Sequence, residues 1–259
     1  MKISCCLITL NEEANLRRCL ASCASLVDEI VVVDSGSSDA TEGIARGFGA
    51  RWTHQDWLGF VGQKNHAISL ATHPWVFSID ADEEISPALA QEIIRIKQTG
   101  AAGDVVGYSM PRCVFYEGRW IRHGDWYPDR LTRLFKKAGA RFAGGRVHER
   151  LEVGAGRVES LRGDLFHHSF KDAADHWARC QKYARLWAET QHEAGRACGA
   201  FAPWAHAMFR WVRGYLLRGG FLDGAQGWRI ATFCAREVFL KYRLLREMRK
   251  AGGRGIARG

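Results

Sequence analysis

Over the first hundred residues, continuous apolar runs alternate with segments whose apolar positions recur every three or four residues. KISCCLITL (2–10), EIVVVD (29–34), ARWTHQ (50–55) and WVFSID (75–80) read as strands. EEANLRRCLASCASL (12–26) places Leu16, Leu20 and Cys23 on one helical face, and residues 60–72 form another helical segment. SSDATEGIARGFG offers Ser37 or Ser38 as N-cap and Gly47 or Gly49 as stop, and SPALAQEIIRIKQTG (86–100) has Pro at its start and Gly at its end. Strands without internal polar alternation, each followed by a helix, predict an α/β fold with a mostly parallel sheet covered on both faces. From 101 to 170 the texture changes to short strands between Gly-rich turns. From 172 onward it is helical, with Trp177, Cys180, Ala184 and Trp187 in one series, Met208, Trp211, Val212 and Tyr215 in another, and a break at Gly219 and Gly220. The expected division is therefore an α/β domain over 1–170 and a helical region over 171–259. No apolar run approaches the ~18 residues needed to span a bilayer.

Charge changes the picture of the C-terminal part. Residues 204–259 hold 12 Arg and Lys against Asp223, Glu237 and Glu247, so they carry the whole formal net charge of +9, and the first 203 residues are neutral. A neutral body with a basic, Trp-bearing tail predicts a polyanionic contact for the tail. Its helical aromatics either pack as core or, with Arg210, Arg213 and Arg218, form an interfacial membrane helix; the latter is expected. The chain opens without a signal-peptide pattern, and its eight Cys form no CxxC pair. Reduced thiols in a cytoplasmic protein, peripheral on the inner membrane, is the expectation.

Candidate chemistry gathers where the strands end. The first runs into TLNEE, the second into DSGSSD and the fourth into DADEE. In an open parallel sheet these carboxyl ends form the ligand crevice. Taken singly, Asp34 is a turn residue, and Asp82, Glu83 and Glu84 are a solvated helix N-terminus. Three such sites on one edge, with Lys64 nearby, suit a nucleotide whose diphosphate is held by a metal. Hard carboxylate ligands favour magnesium or manganese. A divalent cation is then the expected partner of the crowded Asp80, Asp82, Glu83 and Glu84. His167 and His168 are read as structural rather than as ligands.

LITLNEEANLRRCL, EIVVVDSGSSDATEGIA and SIDADEE, in that order, resemble the inverting glycosyltransferases of family 2, which have the GT-A fold. RLTRLFKKAGARFAGGRVHERL (130–151) resembles the later part of the same family, and the whole chain resembles bacterial lipopolysaccharide core glucosyltransferases. The resemblance implies a UDP-sugar donor, Mg2+ or Mn2+, and a lipid-linked glycan acceptor. It implies a base and ribose pocket at Thr9, Asn11, Glu12 and Asp34, and a ribose and diphosphate segment at Lys64 and Asn65. Asp80 and Asp82 match the DxD motif, the first nearer the ribose and the second a metal ligand. His148 matches a further metal ligand and Glu149 the catalytic base. Many members carry Glu-Asp as the base motif, and this chain lacks that dipeptide, so Asp125 in RHGDWYPD is the alternative base.

Two other classes fit less of the chain. A sugar-phosphate nucleotidyltransferase would carry a Gly-rich basic loop after the first strand, where TLNEEANLRRC stands. A nucleic-acid binder would explain the tail and leave the acidic edge without a role, so nucleic acid is not an expected partner.

Overall fold

The computed structural model describes residues 1–144 and 149–256. The chain divides into two compact units, one of Met1–Cys113 with Asp129–His167, the other of Val114–Pro128 with the chain from His168 onward.

The first unit is a mixed sheet flanked by helices. Its parallel part is built from β1 (Ile3–Thr9), β2 (Glu29–Asp34), β3 (Arg51–His54) and β4 (Trp75–Ser78), in the spatial order β3-β2-β1-β4. The connections between them are α1 (Leu16–Cys23), α2 (Thr41–Gly47) and α3 (Gly59–Leu70). After β5 (Glu83–Ile85) comes α4 (Pro87–Thr99), then β6 (Val105–Tyr116), β7 (Arg119–Ile121), β8 (Asp129–Lys136), β9 (Arg141–Gly144), β10 (Glu149–Glu152), β11 (Arg157–Ser160) and β12 (Leu165–His167). Antiparallel β8 extends the sheet from β4, and β5 closes the far edge against β12.

Period-two alternation sends β1 side chains to two cores. Ile3, Cys5 and Leu7 join Leu16, Leu20 and Leu89 under α1 and α4, whereas Cys6 joins Val31, Val33 and Ile68 under α3. Both faces are covered, which is why these strands carry no polar alternation. Helix α4 follows its sequence signals: Ser86 Oγ accepts from Leu89 N at 3.2 Å, Pro87 opens the helix, and Gly100 follows it at φ 79°. Helix α2 departs from them. It starts at Thr41, because Ser37 spends its hydroxyl on Asp34 instead of capping.

The second unit contains the hairpin of Val114–Tyr116 with β7, then α5 (Ala173–Glu193), α6 (Ala202–Trp211) and α7 (Gly224–Ile256). Val212–Leu217 continues α6 as a π-helix, and Gly219 in the left-handed region ends it. None of the described helices is long and apolar enough to cross a membrane. All eight cysteines are free thiols.

His176 of α5 is buried among Tyr116, Trp126, Phe170 and Phe233, and its Nδ1 lies 3.0 Å from the Tyr116 hydroxyl. Burial pulls its pKa down to about 4. Because the folded value lies below the unfolded one, the unfolded chain gains the proton first as pH falls through about 6.5, and stability drops from there down to pH 4. Urea denaturation is expected to show about 2 kcal/mol lost between pH 7 and pH 5 through this residue. The loss should be missing in His176→Gln measured against wild type; an equal pH dependence in both would mean that the imidazole is not held neutral.

Candidate active site

The ends of β1 and β2 lie side by side, with Thr9 opposite Asp34 in register. Asp34 is almost fully buried, yet its carboxylate is saturated. Gly36 N and Ser37 N donate to Oδ1 at 2.8 and 2.7 Å, and Thr9 Oγ1 and Ser37 Oγ donate to Oδ2 at 2.9 and 2.5 Å. Burial pushes this carboxyl up, but these hydrogen bonds outweigh it and hold the pKa below the usual value. Gly36, at φ 101°, supplies the turn that brings both amides onto one oxygen. Asn11, itself at φ 55°, ties the neighbouring loop in: its N–H donates to Ser37 Oγ at 2.7 Å and its Oδ1 accepts from Ser38 N at 2.9 Å. Glu12 N donates to Thr41 Oγ1 at 2.8 Å. Thr9, Asn11, Glu12 and Asp34 thus form one preorganised rim.

The acidic run after β4 is not a solvated helix end. Glu83 and Glu84 belong to β5, and Glu83 is completely buried. Most of its balancing charge comes from the protein. Arg133 of β8 reaches Asp80 Oδ2 at 2.5 Å and Glu83 Oε1 at 2.7 Å, while Lys64 Nζ of α3 lies 2.9 Å from Asp80 Oδ1. Glu84 faces Arg18 at 3.7 Å. Burial would raise the Asp80 pKa, but the charges of Arg133 and Lys64 hold it well below the carboxylate range. Burial and the Asp80 charge push Glu83 up against the pull of Arg133. Asp82 is different: its Oδ2 meets His167 Nε2 of β12 at 3.2 Å, and its side chain is 30% exposed. The expectation that a divalent cation balances the whole run is thereby narrowed to Asp82.

The other expected residues are placed as follows. Lys64 is only 5% exposed and also pairs with Glu149 Oε1 at 2.5 Å, so Glu149 joins the same network rather than pairing with Arg150, which faces Glu152. Asn65 is spent on β9: its Nδ2 donates to Phe142 O at 2.9 Å and its Oδ1 accepts from Phe142 N at 2.8 Å. Asp125 stands in the second unit, 4% exposed, within 3.1 to 3.3 Å of Arg210, Arg213 and Arg218. His148 lies outside the described residues. Arg133 and His167 were not among the expected site residues, and no local spacing marks them; strand pairing alone brings them to the acidic run.

This geometry can be set beside known proteins. The model of the family "Glycosyl transferase family 2" matches residues 4–165. The chain belongs to that family. Among its relatives, an uncharacterized glycosyltransferase of Rickettsia typhi is 29% identical over 95% of this chain and 87% of its own. The lipopolysaccharide core biosynthesis glycosyltransferase LpsC of Rhizobium meliloti is 29% identical over 94% of each. Among solved structures, TarS 1-349 of S. aureus in complex with UDP-GlcNAc superimposes with a TM-score of 0.47 at 15% identity, over 97% of this chain and 92% of that one.

Whether this family 2 site fits a metal turns on its donor set. Among the described residues no group of three His, Cys, Asp or Glu is arranged to hold an ion. Magnesium and manganese in phosphate chemistry need only one or two carboxylates, with phosphate oxygens and water completing the shell. Asp82 meets that requirement. Glu12 adds to it: partial burial pushes its pKa up, and the charges of Asp82, Asp39 and Asp80 push it further, so negative charge is in excess at this rim. Among the described residues, Asp82 fits a cation whose other positions are filled by diphosphate oxygens and water.

Arg133→Met would leave Asp80 and Glu83 buried without their shared partner. Urea denaturation should show a loss of about 3–5 kcal/mol. A loss below about 1 kcal/mol, the value of a surface pair, would mean that Arg133 is not what holds the acidic run.

Proposed function

We propose that this chain transfers a sugar, glucose, from a UDP-sugar to a lipopolysaccharide core or similar glycolipid acceptor with inversion at the anomeric carbon. The observation that carries this reading is the single acidic rim formed by the Asp34 loop, Glu12 and Asp82 at adjacent strand ends. Membership of family 2 supports glycosyl transfer, and a relative named for lipopolysaccharide core biosynthesis, aligned over 94% of both chains, supports the acceptor class.

In this reading the domain over 1–170 binds the donor. Thr9, Asn11, Glu12 and Asp34 form the base and ribose side of the pocket. All four acceptor positions of Asp34 are filled by the protein, so it acts by fixing Gly36, Ser37 and Thr9 in place, and a ligand hydroxyl would replace the Ser37 contact. Asp80, Lys64 and Arg133 form the charged floor, and Asn65 anchors it to β9. Asp82, with His148 as a further ligand, would hold a magnesium or manganese ion, which when bound would supply positive charge beside the diphosphate leaving group. Glu149 accepts the acceptor hydroxyl proton, and Lys64 orients its carboxylate. Asp125 is set aside as base because its carboxylate is occupied by three guanidiniums. The helical region 171–259 associates with the anionic cytoplasmic face of the inner membrane, where a lipid-linked acceptor is presented.

UDP-glucose turnover with manganese tests the reading. The expected result is slow UDP release without acceptor and a β-linked product with a glycolipid acceptor, read from the anomeric proton coupling. An α-linked product would overturn inversion, and no turnover of any UDP-sugar would overturn the donor class. Asp82→Ala is expected to lose at least about 100-fold in turnover with unchanged thermal stability; full activity at saturating manganese would remove the metal role. Glu149→Gln should keep UDP-glucose binding and lose about 10²–10⁴ in transfer; an unaltered rate would exclude Glu149 as the base.

A further inference from the structure

Exposed large apolar side chains are concentrated in one stretch of the second unit. Of the sixteen among the described residues, nine lie between Phe201 and Trp228. Phe201 is 83% exposed and Leu217 74%, and Trp204, Met208, Phe209 and Trp228 are each more than half exposed. A patch of this density on a water-soluble surface marks a contact. Between α6 and α7 runs an open groove of about 410 Å³ lined by Trp204, Met208, Trp211, Ala235, Arg236 and Phe239, among others.

The same stretch carries an unbalanced cation cluster. Arg210 Nε, Arg213 Nη1 and Arg218 Nη1 converge on Asp125 at 3.1, 3.3 and 3.1 Å. One carboxylate against three guanidiniums leaves two positive charges in excess. Asp125 is buried, whereas the three arginines are one-third to one-half exposed, so the carboxylate fixes the fork-shaped groups while part of each faces water. Farther along α7 Lys241 pairs with Glu237 at 2.6 Å and Arg243 with Glu247 at 2.8 Å, and net positive charge continues there, but past Trp228 no large apolar side chain is exposed among the described residues.

We infer that residues 201–228 are the bilayer seat of this protein, with Arg210, Arg213 and Arg218 on the phosphates of anionic phospholipids and Phe201, Trp204, Phe209 and Leu217 in the apolar layer beneath. Excess positive charge beside exposed Trp, Phe and Leu is complementary to a phospholipid interface, anionic outside and apolar within. A soluble phosphate would leave the apolar patch in water, and a polyanion such as nucleic acid would leave the groove unused. The inference rests on the membrane association proposed above and narrows it from the whole basic tail to this segment.

The test is co-sedimentation of the full chain with vesicles of phosphatidylcholine, with and without phosphatidylglycerol. Wild type should bind the phosphatidylglycerol vesicles. Arg213→Gln with Arg218→Gln, which keeps Arg210 on Asp125, should weaken binding about thirty-fold. Phe209→Ser with Leu217→Ser should weaken it at least about tenfold. Arg249→Gln with Lys250→Gln, in the distal tail, should change it less than about threefold. UDP-glucose turnover in solution should be the same in all four proteins, which checks that each is folded. If wild type binds and the distal pair abolishes binding while the first two variants do not, the seat lies elsewhere and the inference fails. Release by inorganic phosphate at matched ionic strength would also overturn it, since the arginines would then form a site for the phosphate group alone. If wild type ignores phosphatidylglycerol vesicles, the membrane reading itself fails, and the seat with it.

Discussion

Arg133 is the constraint on which the acidic end of the sheet depends. It is almost entirely buried and forks between Asp80 and Glu83, two carboxylates that could not otherwise be held so close in a low-dielectric interior. Lys64 completes the balance from the opposite side of Asp80 and links Glu149 to the same network. The protein thus supplies the opposing charges of this cluster from its own strands and helix.

That arrangement separates two neighbouring aspartates. Asp80, with both oxygens in charged contacts, is a fixed element of the floor. Asp82, two residues on, faces only an imidazole across 3.2 Å and retains exposure. Its pKa is lowered despite burial that would raise it, by the hydrogen bond and charge of His167 and against the repulsion of Asp80. Asp82 is thus an ionised carboxylate at an acidic rim, beside a Glu12 whose pKa is pushed up by partial burial and by the neighbouring negative charges. The rim formed by the Asp34 loop is built on the opposite principle, with hydrogen bonds instead of ion pairs doing the positioning.

Much of the first unit was legible from the hydrophobic pattern because β1, β2 and β4 are covered on both faces and read as unbroken apolar runs. The edges of local elements were harder to see. Ser37 looks like a helix cap and instead serves Asp34, which moves the start of α2 to Thr41. Glu83 and Glu84 look like a solvated helix start and instead form β5, because a three-residue strand takes its identity from its partner, β12, and not from its own pattern. Arg133 and His167 were invisible for the same reason: each reaches the acidic run through sheet pairing with residues far away in sequence. The polar contacts of Asn65 with the Phe142 backbone and of Asp125 with three arginines likewise depend on tertiary placement. Motif order located the acidic rim, and the structure assigned charge partners within it.

The central claim is that this rim takes a nucleoside diphosphate together with a divalent cation. Calorimetric titration of the wild-type protein with UDP, in manganese and then in chelator, tests it most directly. The account predicts binding in manganese that weakens by about tenfold or more when the metal is removed. Equal affinity in both conditions, or no heat of UDP binding in manganese, would contradict it.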